Sequence, residues 1–334
     1  MSYSNGTAAN HTAFVTALVA FLTTDSGLTT EGHLWTKPWQ NSDGTQFVMQ
    51  GPGVPGGNPV YVGFRTLFND VTSTYQLMIR GMTGISLGAT DMSGHTGLSP
   101  EVAMFLDLEP MEYWFVANGR RVILVAKIST VYESAYAGFF LPYAIPVNYP
   151  NPIFVAGTHG AVDQDVTSWR STYQTHTSFL WPSSGISSRG STPSAWLMDP
   201  SSEWLALPDI GDQYTGVKNA SMMPMRGGLY GSMFGENLNL NYAAVNGAVG
   251  LDTFVQRLGP NLDGGYSLLP LSPVSASNAG SSLNQTWGIL DGAYAVPGFN
   301  NAAENTVTIG GLAHLVVQNI FRTTYSDYFA IQLG

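Results

Sequence analysis

Met111–Ile128 reads MEYWFVANGRRVILVAKI. Two apolar runs, rich in β-branched and aromatic residues, flank Asn118-Gly119. That dipeptide is the preferred centre of a two-residue type I′ turn, because both central positions need positive φ. The spacing predicts a β-hairpin in which Ala117 faces Arg120, Phe115 faces Val122 and Tyr113 faces Leu124 on one side. On the other side Val116 faces Arg121, Trp114 faces Ile123 and Glu112 faces Val125. The first side is apolar away from the tip, and the second mixes aromatic, aliphatic and charged groups. The hairpin is therefore expected at the centre of a sheet, with one face in a core and the other partly covered. The plainer reading is a core hairpin with no further role.

Around this hairpin lies a chain of 334 residues, long enough for a substantial core in one or two domains. Charged residues are 10% of it, against about 25% in ordinary soluble domains. Twelve Lys+Arg against 22 Asp+Glu give a net charge of −10, which argues against a groove that tracks phosphates. A surface so poor in charge must rely on Ser, Thr, Asn, Gln and Gly, or be covered by other chains, and permanent assembly suits it better. With no cysteine, disulfides, thiolate zinc sites and cysteine nucleophiles are excluded. The N-terminus lacks the basic start of a signal peptide, and no run of about 18 apolar residues occurs, so no membrane insertion is expected.

In chain order, His11–Thr24 has helical periodicity, with Phe14, Leu18, Phe21 and Leu22 on one stripe and Val15 and Val19 beside it. Asn10 is the expected N-cap, and Gly27 lies beyond the end. The polar face lacks Lys and Arg, so the stripe is expected on a sheet rather than a membrane surface. Gly51–Pro59 is a loop by composition. Val60–Phe64, Tyr75–Ile79 and Val102–Leu108 read as strands, with Asn69-Asp70 in a turn and Gly84–Pro100 as a loop.

Val131–Pro152 holds four prolines and four tyrosines, a composition that argues against a long helix or a central strand. A short turn of structure is expected at Tyr132–Ala137, then an extended aromatic-proline segment. Such a segment suits a contact between subunits, with Tyr132, Tyr136, Phe139, Phe140, Tyr143 and Tyr149 as candidate interface residues. The competing reading folds it back on its own domain. Met198–Trp204 reads as a turn carrying a tryptophan. Tyr266–Leu269, Gly288–Val296, Thr306–Ile309, Leu312–Phe321 and Tyr325–Leu333 are expected strands, with Gly310-Gly311 as a tight turn. No repeat of 20–50 residues is visible. The expected division is an α+β domain over 1–157, a Ser/Thr/Trp-rich module or insertion over 158–225, and a β-rich region over 226–334. The fold class is α+β, mostly β: antiparallel sheets with an N-terminal helix packed on them.

Candidate chemistry is sparse. Asp107, Glu109 and Glu112 could supply a carboxylate pair for glycoside hydrolysis, yet some acidic pair arises by chance among 22 acids. His159, Asp163 and Asp165 could hold a metal, but without the full spacing of a calcium loop they read as a polar loop. His95 and His176 stand in polar loops, and His314 in an apolar strand, where a hydrogen-bonded core histidine is expected. Gly84-Ile85-Ser86-Leu87-Gly88 has the letters of a nucleophile elbow, but no helical pattern follows. Gly51, Gly53 and Gly56 fit G-x-G-x-x-G, with Pro52, Pro55 and Pro59 interrupting and a strand following. No catalytic, metal or cofactor-binding residue is assigned.

Several stretches together resemble virion structural proteins of tailed bacteriophages. They are Tyr113-Trp114-Phe115, Asn118–Arg121, Lys127–Phe139, Leu141–Ala144, Tyr149–Pro152, Trp287–Gly292, Gln318–Arg322 and Asp327–Ala330. The likeness is strongest over about 102–155 and 287–334 and weak over 158–285. It implies a homo-oligomeric tail or baseplate subunit, assembled in the host cytoplasm and residing in the virion. Its partners would be copies of itself and other virion structural proteins, with no cofactor, no catalytic role and no direct nucleic-acid binding. The runner-up is a host-surface glycan receptor-binding protein that reads sugars with the tryptophans of 158–225. A glycan hydrolase comes third.

The charge balance makes the first testable statement. The isolated protein is expected to bind duplex DNA more weakly than micromolar at physiological salt. Fluorescence anisotropy across a salt series checks this, and sub-micromolar binding with a steep salt slope would contradict it.

Overall fold

The computed structural model describes residues 1–71, 73–160, 194–207, 219–223, 262, 265–276, 285–318, 320 and 328–334. The first half runs β1 (Ser2–Ala8), α1 (His11–Thr24), α2 (Ser26–Thr30), β2 (Thr36–Gln40), β3 (Gln46–Gly51), β4 (Val60–Asn69) and β5 (Thr74–Met82). It continues with β6 (Val102–Phe105), β7 (Met111–Ala117), β8 (Arg121–Ile128) and β9 (Val131–Phe139). A ten-stranded sheet begins β1-β7-β8-β9, then takes Ile153–Ala156, Ala195–Met198, Trp204–Leu207, Asn219–Met223, Ser272–Ala276 and Gln285–Thr286. A six-stranded sheet orders His159–Gly160, β6, β5, β4, β3 and β2. A five-stranded sheet is built from 269–332. The protein is mostly β, in antiparallel sheets with the N-terminal helical segment on one side, as the alternating patterns predict. One pairing, Ala206 with Asn219, is parallel. The large sheet takes strands from all three segments of the expected domain division.

The layers follow from side-chain alternation. Phe115, Ala117, Val122, Leu124 and Ala126 enter a core shared with β3–β6 and α1. Trp114, Val116, Ile123 and Val125 enter a second core, shared with the five-stranded sheet. Both faces of the hairpin are therefore buried, where sequence suggested partial cover on one. A sheet covered on both faces needs near-continuous apolar strands, and VILVA in β8 is such a run.

The hairpin exists, but its turn differs from the expectation. Ala117 pairs with Val122, Phe115 with Leu124 and Glu112 with Lys127. The pairing is displaced by two residues, which leaves every side chain on its expected face. Neither Asn118 nor Gly119 has positive φ, so the turn is not type I′. Asn118 uses its side chain instead: Oδ1 accepts the backbone N–H groups of Arg120 at 2.9 Å and Arg121 at 3.1 Å. Gly119 is small for a different reason. A Cβ there would stand 2.9 Å from Pro52 Cγ and 3.0 Å from His33 Cδ2, and its carbonyl accepts from Gly53 N at 2.7 Å. Gly310-Gly311, in contrast, meets the expectation, with φ of 60° and 81° and Ile309 paired with Leu312.

The larger correction is at 131–139. In place of a short turn, β9 is a nine-residue strand, buried throughout, between β8 and Ile153–Ala156. Its prolines all come later, at 142, 146, 150 and 152, so nothing in 131–139 removes a ladder donor. Ala135, Ala137 and Phe139 face the first core, and Tyr132 and Tyr136 the second.

Helix α1 matches its expected bounds. Asn10 Oδ1 accepts from Ala13 N at 3.0 Å, and Phe14, Leu18, Phe21 and Leu22 are buried. Phe14 meets Phe115 edge-on, with ring centroids 4.9 Å apart. Each such buried Phe contributes about 2 kcal/mol of apolar transfer. By length and composition alone His11–Thr30 could cross a membrane. Asp25 interrupts it with an extended backbone and caps α2, however, leaving 14 continuous residues in α1. At 1.5 Å per residue that is about 21 Å, short of the ~30 Å apolar slab.

Gly138 generates the second test. It has φ of 130°, and a Cβ would stand 2.4 Å from the Arg120 carbonyl oxygen. Gly138→Ala is expected to lower stability by about 2–4 kcal/mol, since backbone on both sides must move. Urea unfolding measures it; a midpoint equal to wild type would contradict this reading.

Candidate functional site

Among the described residues, a dense polar constellation surrounds the tip of the central hairpin. Asp291 Oδ2 accepts from Asn118 Nδ2 at 2.6 Å and Arg120 Nε at 2.9 Å, with Arg121 Nε 3.5 Å away. Arg121 is fully buried, and its Nη1 donates to the Val116 carbonyl at 3.2 Å. Trp35 Nε1 donates to the Asn118 carbonyl at 2.8 Å. Burial pushes the Asp291 carboxyl upward, but the two guanidiniums and the Asn118 amide outweigh it and hold it below its ordinary range. The carboxylate stays ionised, with its donors drawn from within the fold. Chemically this is a clasp: it fastens residues 35, 118–121 and 291 together.

A second ion cluster lies on the six-stranded sheet. Arg65 grips Glu101 with Nε and Nη2 at 2.8 and 2.6 Å, and Arg80 Nε lies 3.2 Å from the same carboxylate. Burial raises the Glu101 carboxyl, and the arginines more than reverse it. A third joins Lys127 to Glu304 at 2.6 Å and to Glu112 at 3.0 Å, with the Tyr132 hydroxyl donating to Glu304.

The candidate catalytic residues are not brought together. Glu112 pairs across strands with Lys127, Glu109 is exposed, and Asp107 Oδ1 accepts the N–H of Leu108 at 2.7 Å. His159 is buried beside Phe105 with Nδ1 against the Gly160 carbonyl. Asp163, Asp165 and His176 lie outside the described residues. Among the described residues no group of three His, Cys, Asp or Glu could hold a metal ion. His95 packs edge-on to Trp39 and accepts from Ser86 N at 3.1 Å. His314 is a buried core histidine against Tyr294. Gly84 bridges to Thr96, and the three-residue 3-10 turn Met92–Gly94 is the first helical element after Gly88, so no elbow forms. Gly51, Gly53 and Gly56 precede β4 rather than a helix. Of the expected glycan-reading tryptophans, Trp169 and Trp181 lie outside the described residues. Trp204 donates to the Gly97 carbonyl at 3.2 Å.

Of the six interface candidates, Tyr132, Tyr136, Phe139, Phe140 and Tyr149 stand in the chain's own core. Tyr136 donates to the Phe139 carbonyl at 3.0 Å, and Tyr149 to that of Met198. Tyr143 is 65% exposed. Beside it, Ile145 and Val147, which composition alone did not separate from their neighbours, are 60% and 80% exposed. The loop bearing them is anchored at both ends. Leu141-Pro142 pairs with Ile289-Gly288, Tyr143 N donates to the Trp287 carbonyl at 3.0 Å, and Tyr149 plugs the second core. Inside the loop, the Ile145 carbonyl accepts from Asn148 N at 2.9 Å and Tyr149 N at 3.1 Å. An uncharged loop held in this way presents apolar side chains at little ordering cost on contact.

Comparison with protein-family models matches none of them, and comparison with curated proteins finds no significant match.

Sequence reasoning passed over Glu133. It is buried in β9, and its Oε2 accepts from the Thr158 hydroxyl. Burial pushes its carboxyl from an ordinary 4.5 up to about 7. Between those values the folded state keeps a proton that the unfolded state has lost. This contribution to stability is therefore full below about 4.5 and is lost as pH rises through about 7. Asp291 and Glu101, lowered when folded, act with the opposite sign: their contribution is lost as pH falls through their depressed values. Glu133→Gln should remove the loss above pH 4.5 and gain on the order of 2–3 kcal/mol over wild type at pH 8. Chemical denaturation at pH 5 and pH 8 checks this; a variant less stable than wild type at both would refute it.

Proposed function

We propose that this chain is a structural subunit of a tailed-bacteriophage virion, a homo-oligomeric tail or baseplate component. The loop 141–149 is one of its contact surfaces. The class of particle rests on the sequence resemblance. The assembly role is carried by one observation, the anchored uncharged loop that holds Tyr143, Ile145 and Val147 toward solvent. Low overall charge supports the same reading, since 10% charged residues leave little electrostatic cost to covering a surface. The chemistry of the ion clusters agrees: each is spent internally, fastening strands.

Substitution separates this role from folding. Phe139→Ser and Phe140→Ser remove buried rings and should cost about 3–5 kcal/mol, unfolding or strongly destabilising the chain. Tyr143→Ser and Val147→Asp change exposed side chains and should melt within a few degrees of wild type. In complementation during infection, these two should enter particles at a tenth or less of the wild-type level. Normal incorporation of both would remove the loop as a contact. Absence of the wild-type protein from purified particles would remove the virion role itself.

A further inference from the structure

β1 is one end of the ten-stranded sheet. It has seven residues, SYSNGTA, with no charge and no proline. It pairs with β7 over seven consecutive positions without a register shift, so no bulge turns it away. Among the described residues, β7 provides its only backbone hydrogen bonds; the groups on its outer side are unpartnered. Sheet edges are ordinarily blunted by shortness, charge, proline or a bulge, because an open edge templates a further strand. The other described ends follow that rule. Gln285–Thr286, His159–Gly160 and Leu269–Pro270 have two residues each. β2 carries Lys37, Pro38 and a register shift, and Thr306–Ile309 has four residues. Among the described edges, β1 alone is long, free of register shifts and unprotected.

We propose that β1 pairs edge to edge with β1 of a second copy, antiparallel, about a two-fold axis through Asn5. This deepens the assembly role proposed above and rests on it for its biological setting alone. Length selects the occupant, since among the described edges only β1 offers seven residues to match seven. The sequence is self-complementary in this register. Tyr3 faces Thr7 of the second copy twice, an aromatic–β-branched pairing, and Asn5 faces Asn5, where two amides can bond. These three side chains share the exposed face, opposite the helices. On the helix-covered face, Ser2 meets Ala8 and Ser4 meets Gly6, small groups that allow close approach. No like charges oppose one another. Tyr3 is 47% exposed and lies beside the chain's final glycine, Gly334.

The chain has no cysteine, which makes the test clean. Paired antiparallel Cα atoms stand about 4.5–5.5 Å apart, within the span a disulfide bridges. Full-length Asn5→Cys under mild oxidant should form a linked dimer at least tenfold faster than Val71→Cys, a control on the exposed turn after β4. Separately, Asn5→Lys and Asn5→Asp should each be monomeric by light scattering with unchanged melting, and mixing them should restore a dimer. Equal cross-linking rates for the two cysteine variants, or an Asn5→Lys and Asn5→Asp mixture that stays monomeric, would overturn the pairing. Pairing of β1 with any other edge gives those same negative results. Particle entry is scored independently, so a dimer absent from particles sinks the virion role and leaves the pairing, and the reverse outcome does the opposite.

Discussion

The structure depends on one constraint: the central strands of the large sheet, β7–β9, are covered on both faces, so they must satisfy two cores at once. β9 shows how this works. Alternation sends Ala135 and Ala137 toward the six-stranded sheet, and Tyr132 and Tyr136 toward the five-stranded one. Ala135 and Ala137 leave room for the facing sheet, and Tyr132 and Tyr136 fill the space on the other side, as close packing requires. The same arrangement explains Gly81, where a Cβ would stand 2.5 Å from Ile153 and 2.9 Å from Trp204. A substitution in these strands is felt on whichever face it lies, because neither face is solvent.

Three largely buried carboxyls around these sheets, Asp291, Glu101 and Glu133, are of two kinds. Asp291 and Glu101 each face two arginines, and ionisation is maintained by charge-assisted bonds that offset desolvation. Glu133 has only the Thr158 hydroxyl and a backbone bond from Phe105 to offset its burial, and burial prevails. Its proton is therefore held by the protein over a range in which free glutamate has lost it. The first kind weakens the fold as acid is added, and the second as it is removed. Together they favour an optimum at mildly acidic pH, bounded by different residues on its two sides.

Much of this fold was legible from period and punctuation. The 3.6-residue stripe of α1 and its Asn10 cap are local signals, and the local signal is what forms. Gly310-Gly311 likewise makes the turn its letters specify, on an exposed hairpin with nothing competing. Asn118-Gly119 carries an equally strong local signal and does not make that turn. Its surroundings compete for every polar atom of Asn118: Asp291 takes the amide, Trp35 the carbonyl, and the next two N–H groups the side-chain oxygen. Asp291 is more than 170 residues away in sequence, so no window around the turn contains the reason. β9 was misread through composition averaged over 131–152, which mixed a proline-free strand with the prolines after it. The candidate contact loop was half-legible. Aromatic and proline content marks the segment, but only packing separates Tyr143 from Phe140, three residues earlier.

Charge placement extends the argument to association. Arg65, Arg80, Arg120, Arg121 and Lys127 are all committed to internal ion pairs, five of a total of twelve basic residues. Among the described residues that leaves Lys37 as the one remaining Lys or Arg, so the described surface is poor in cations. The net −10 gives two approaching copies a mild repulsion, largely screened beyond about 8 Å at physiological salt. Encounter would then be unsteered and slow relative to charge-guided partners. Under the proposed assembly the contacts would be short-range: backbone bonds along an open edge, and apolar contact at an ordered loop. Such contacts strengthen or hold with added salt, where an electrostatic interface would weaken. A described surface that commits five of its six Lys and Arg to ion pairs within the fold and turns an uncharged strand and loop outward would suit association governed by fit and local concentration rather than by long-range steering.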